Sequence, residues 1–168
     1  MKKEGVAIIM ILLLTTLSSC ASLGMQPEWK YKKDAISLSY RSSSYLNMYE
    51  GNAHTLMLCI YQLTDPNAFN QLSGEEEGLS KLLECSRFDP SVTSAKRLTI
   101  YPDEEKTETL DRAENTKYVG IVAGYYSLQK EGAVRFYKIP LSTFLNHPKN
   151  LTLQLYLGAQ EIQRSEGI

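Results

Sequence analysis

The segment Leu151-Thr152-Leu153-Gln154-Leu155-Tyr156-Leu157 constrains the fold more than any other part of the chain. Leucine alternates there with Thr, Gln and Tyr over seven positions, the two-residue period of a β-strand that buries one face. Two further runs, Thr55 to Leu63 and Tyr118 to Tyr126, are almost continuously apolar, as expected of strands covered on both faces. Weaker signals fill the spaces between. Ile36, Leu38 and Tyr40 alternate with Ser37 and Ser39; Leu98 and Ile100 alternate with Thr99 and Tyr101; residues 107–110 fit a short strand. Residues 133–139 alternate up to Pro140, which ends a strand or marks an edge.

The pattern changes period once. Asp65-Pro66 suits a helix start, with Phe69 and Leu72 on one face. Ser73-Gly74-Glu75-Glu76 has the order of a capping box, followed by Leu79, Leu82 and Leu83 on one side. Acidic residues in that first turn favour the helix dipole, a sufficient reason for them without a bound cation. The reading is a mainly β chain: a two-sheet β-sandwich of about seven short strands with a short helical insertion around residues 65–85.

The start of the chain places this domain in the cell. Lys2 and Lys3 precede an apolar run from Val6 to Leu14, too short to span a bilayer. The run ends in Leu17-Ser18-Ser19-Cys20, which resembles the bacterial lipobox, where the cysteine is lipidated and becomes the mature N-terminus. The expected organisation is a lipoprotein signal peptide at 1–19, a lipidated N-terminus and tether at 20–33, a sandwich domain at 34–164 and a C-terminal tail at 165–168. Cleavage before Cys20 leaves 149 residues with 16 basic and 18 acidic side chains, one domain without the basic stripe that nucleic acid requires. The covalent lipid is the only membrane attachment and the only non-protein group expected. Ala21 and Ser22 after Cys20, with no Asp beside it, suggest sorting to the outer membrane.

Cys59 and Cys85 remain. Outside the cytoplasm such a pair reads either as a disulfide or as two separate buried thiols. No catalytic motif stands out. His54 and His147 lack Cys, Asp or Glu at metal-ligand spacing. Cys59 lies in an apolar strand, a poor setting for a nucleophile. The carboxylates at 103–105, 108, 111 and 114 read as a solvated connector. The expectation is therefore a protein that is not an enzyme, with no metal and no small-molecule substrate.

The order of these features resembles the TssJ (SciN, VasD) lipoproteins of the bacterial type VI secretion system. The resemblance rests on Leu46-Asn47, on Leu58-Cys59-Ile60-Tyr61-Gln62-Leu63 running into Asp65 and Phe69, on Leu72 and Leu79, and on Tyr118-Val119-Gly120-Ile121-Val122-Ala123-Gly124-Tyr125-Tyr126. Arg135 matches the arginine of a Trp-Arg pair, with Val134 at the tryptophan position. The family resemblance implies a transthyretin-like sandwich on the periplasmic face of the outer membrane. It also implies binding to the periplasmic C-terminal region of TssM, within a complex that includes TssL, through the loop between the first two strands.

In this chain that loop is 41–53, with Tyr45, Leu46, Asn47, Met48, Tyr49 and Glu50 as the candidate contacts. Tyrosine and methionine are enriched at interfaces. The same residues could instead fold back onto the domain as a small cluster. A second functional reading is a lipid-tethered periplasmic module that holds a small ligand inside the sandwich. The large inward-facing side chains speak for a filled core.

Overall fold

The computed structural model describes residues 26–143 and 146–167. Eight strands are described: β1 (Lys32–Ser42), β2 (Leu56–Leu63), β3 (Val92–Ile100), β4 (Glu105–Arg112), β5 (Tyr118–Ala123), β6 (Val134–Lys138), β7 (Leu151–Leu157) and β8 (Ile162–Gly167). Three short helices accompany them: α1 (Asn67–Ser73), α2 (Glu76–Leu82) and α3 (Lys130–Ala133). The strands form two four-stranded sheets, ordered β4-β1-β7-β8 and β3-β2-β5-β6. All pairings are antiparallel except β1 with β7, where Ile36 to Ser42 run beside Leu151 to Leu157.

The alternation in β7 does what its period dictates: its four leucines are buried and Thr152, Gln154 and Tyr156 face outward. Ile36, Leu38 and Tyr40 of β1 join those leucines against Leu56, Leu58 and Ile60 of β2 and Val119, Ile121 and Ala123 of β5. The other faces of β2 and β5 carry a second core. Cys59, Tyr61, Leu63 and Val122 pack there under Phe69, Leu79 and Leu82 of the helical insertion. This explains why β2 and β5 read as continuous apolar runs. A disulfide joins Cys59 to Cys85 with the Cα atoms 5.3 Å apart, fastening the end of the insertion to the sheet.

Two of the sequence segments that carried the family resemblance, the one running from β2 to Phe69 and the one in β5, meet in this second core. A Cβ on Gly120 would lie 2.6 Å from the Phe69 ring, so only glycine lets that ring seat on β5. Gln62 closes one end of the sandwich. Its side chain donates to Asp111 O at 2.8 Å and accepts from Ala113 N–H at 2.8 Å and Thr116 Oγ1 at 3.1 Å. Arg135 of β6 bridges the two sheets where their edge strands β6 and β8 face each other, donating to Ser165 Oγ at 3.1 Å and to Ile162 O.

Several boundaries differ from the sequence reading. The expected tail at 165–168 is, as far as Gly167, part of β8, whose Ser165 pairs with Leu155. That strand is polar apart from Ile162 and forms a sheet edge, so it has no apolar alternation to reveal it. The expected tether at 20–33 is structured from Trp29, which packs against the first core, and β1 starts at Lys32. The carboxylates Glu105, Glu108 and Asp111 stand on β4 rather than in a connector. Ser73 makes no capping box. Its hydroxyl donates to Asn70 O within α1, and α2 has Glu75 at its N-cap position with no side-chain cap hydrogen bond. Asp65 does act at the start of α1, accepting Asn67 N–H at 2.9 Å. The signal peptide and Cys20 lie outside the described residues.

Candidate partner-binding surface

The long β1–β2 connection crosses from one sheet to the other at one end of the sandwich. It occupies residues 43–55, because Arg41 and Ser42 continue β1 and pair with Tyr156 and Leu157. Its backbone is held at many points. Leu46 N–H donates to Ser43 O and His54 N–H to Leu46 O, both at 3.0 Å. Met48 N–H donates to Ala159 O at 2.7 Å, fixing the loop to the β7–β8 turn. Tyr49 and Asn52 exchange two backbone hydrogen bonds of 3.0 Å across Glu50-Gly51. Both central residues have positive φ, 49° and 79°, as a type I′ turn requires, and Gly51 takes this conformation without a Cβ penalty.

The six candidate contacts divide into two groups. Leu46 is fully buried and belongs to the first core. Asn47 is also buried. Its amide donates to Thr55 O at 2.9 Å and its carbonyl accepts Tyr126 N–H at 2.9 Å, so one side chain ties the loop to the end of β5. These two residues are the loop's anchors, not its contact surface. A leucine facing a core gains on the order of 2 kcal/mol over one facing water, which settles its orientation. Tyr45 and Tyr49 are the reverse: 65% and 47% of their surface is exposed. Met48 is half-buried and Glu50 is exposed.

Tyr126 was not among the expected contacts, yet it completes this surface. It is 56% exposed and stacks on Tyr49 with ring centroids 4.4 Å apart and an interplanar angle of 16°. His54 meets Tyr126 edge-on at 5.1 Å. Tyr125 beside it points into the core, and burial pushes its phenol well above the usual range. The Tyr125-Tyr126 doublet ending a buried strand was the available signal, since a two-residue period must leave one of the pair outside. The open depression beside the loop, about 650 Å³, is lined by His54, Met57, Arg97, Tyr126 and Leu128 among others.

The arrangement offers a pinned backbone, protruding aromatic rings and little titratable chemistry. Stacked tyrosines on a fixed loop can seat against a partner at low entropic cost, because few rotamers remain to be frozen. Among the described residues, no group of three or more His, Cys, Asp or Glu side chains converges as metal ligands.

Comparison with known proteins agrees with this architecture. The family model for type VI secretion lipoproteins, described as VasD, EvfM and TssJ, matches residues 34–160. TssJ1 of Pseudomonas aeruginosa, a type VI lipoprotein, superposes with a TM-score of 0.60 at 20% identity, covering 84% of this chain and 96% of that one. Lip of Serratia marcescens, a membrane-bound component of the type VI secretion system, gives 0.58 at 13% identity, covering 79% and 96%. A chain in the structure of the TssM C-terminal domain from EAEC gives 0.55 at 14% identity, covering 75% and 94%. No curated protein sequence matches. The structural likenesses establish the shared sandwich, and the family match over most of the chain establishes the kinship: this protein belongs to the TssJ family of type VI secretion lipoproteins.

Proposed function

We propose that the mature protein is held by lipid on Cys20 at the periplasmic face of the outer membrane. There it binds the periplasmic C-terminal region of TssM, in a complex that also contains TssL. The observation that carries this reading is the split loop. Leu46 and Asn47 fix it from beneath while Tyr45, Tyr49 and Tyr126 stand exposed above. Met48 and Glu50 complete the surface.

The direction of β1 supports the same reading. The chain enters β1 at Lys32 and reaches the loop after Ser42. Eleven residues of strand span roughly 35 Å. The loop therefore lies at the end of the sandwich opposite the tether, directed away from the anchoring membrane and toward a partner reaching across the periplasm. The tightly filled interior between the sheets speaks against a ligand carrier.

Calorimetry with the TssM region from the same bacterium tests the proposal. Replacing Tyr45, Tyr49 and Tyr126 by serine is expected to weaken binding at least 30-fold, about 2 kcal/mol, as for a central anchor. Unchanged affinity would move the site elsewhere. No binding by the unaltered protein would remove the anchor role and favour the carrier.

A further inference from the structure

We infer that the end of the sandwich opposite the loop carries a binding groove for an anionic phospholipid of the anchoring membrane. This rests on the proposed lipidation of Cys20. The groove, about 690 Å³, opens between β6 and β7, with Leu151, Pro140 and Phe136 on its apolar walls and Lys138 and Lys149 at its rim. Lys149 N–H donates to Pro140 O at 2.8 Å, so the backbone holds it two residues from Lys138 on the facing chain. Neither lysine has a carboxylate partner among the described residues, whereas Lys30, Lys81, Lys96 and Lys106 each have one.

The groove sits where the chain departs for the membrane. Trp29 O accepts Asn115 N–H at 2.6 Å, and Arg112 stacks over the Trp29 ring at 5.8 Å. The same guanidinium donates to Lys30 O at 3.0 Å and Lys149 O at 3.5 Å, tying the exit of the tether to the rim of the groove. Nine Cα–Cα steps lead from Cys20 to Trp29, a reach of at most about 30 Å. A lipidated Cys20 thus keeps this end close to the headgroups. Two unpaired ammonium groups attract an anionic headgroup there, and the apolar walls suit the first methylenes of its acyl chain. Charge complementarity together with this tethered position favours phospholipid over a soluble apolar ligand.

The test uses the mature lipidated protein in nanodiscs of phosphatidylethanolamine, with or without one-third phosphatidylglycerol. Lysine acetylation is read by mass spectrometry. Phosphatidylglycerol is expected to slow modification of Lys138, Lys149 and the neighbouring Lys30 at least threefold, with Lys106 and Lys130 at the far end unchanged. Equal rates in both discs would overturn the groove, as would equal protection by soluble glycerophosphate added to the neutral discs, which would make the site a general anion site. A K138E/K149E variant that melts normally is expected to lose the composition dependence at Lys30. If that dependence persists unchanged in the variant, the groove is not its source. Protein that fails to enter discs at all would instead remove the lipid anchor, and this inference with it.

Discussion

The β3-β2-β5-β6 sheet is covered on both sides, whereas the β4-β1-β7-β8 sheet is covered on one. The covered sheet is stapled beneath α1 and α2 by the Cys59–Cys85 disulfide and fitted so closely that Phe69 needs a glycine beneath it. The outer face of the other sheet is polar and open, with Ser39 and Thr107 joining hydroxyls at 2.8 Å. One sandwich thus carries a face where shape is decisive and a face where composition is free. The β1–β2 loop repeats the contrast on a small scale, with Leu46 and Asn47 inside and Tyr45 and Tyr49 outside.

The largest expected effect lies in the covered face. Phe69→Ala should cost about 4 kcal/mol, because it empties the space between Tyr61, Phe136 and Gly120. Thermal melting should show a fall on the order of 10 °C. A fall of only a degree or two would mean that the helical layer is loosely packed and the contrast between the sheets is false. Next comes the staple. Replacing Cys59 and Cys85 together by alanine opens a 26-residue separation and should cost about 3 kcal/mol in denaturant titration. Leu46→Ala should cost a similar amount, about 3 kcal/mol, while Tyr45→Ser leaves the melting temperature nearly unchanged. Equal losses for the two would abolish the division of the loop.

An alkaline titration sharpens the comparison further. Burial raises the Tyr61 phenol to about 12, and its hydroxyl donates to Leu82 O in the helical layer. The unfolded chain releases this proton near pH 10, the ordinary value for tyrosine. The stability held by Tyr61 is therefore complete below pH 10 and declines as pH rises toward 12. Tyr61→Phe should flatten that decline in a pH series of melting curves, and an unchanged slope would assign it to other groups. The smallest effect belongs to the open face, where Gln154→Ala should change stability by no more than about 0.5 kcal/mol.

How much of this was legible in the sequence depended on periodicity. The leucines of β7 and the continuous runs of β2 and β5 announced their burial, because a strand's two faces are written in alternate residues. Edges were harder: β8 has one buried apolar residue and therefore no pattern, and β4 showed only as a short strand at 107–110 among carboxylates that read as a connector. In the loop, hydrogen bonds set the orientation of side chains, not a period. Nothing local distinguishes Leu46, which turns inward, from Met48, which does so only in part. Tyr126 was missed because its stacking partner, Tyr49, lies far away in sequence. The disulfide stayed open for the same reason, since spacing along the chain says nothing about whether Cys59 and Cys85 meet.

The central claim is that the exposed half of the loop, rather than the open sheet face, meets TssM. A photo-crosslinking amino acid placed singly at Tyr45, Tyr126, Thr152 or Gln154 in the living bacterium tests it most directly. The account predicts a crosslinked product with TssM from positions 45 and 126 and none from 152 and 154. Products from the open sheet face alone would contradict it.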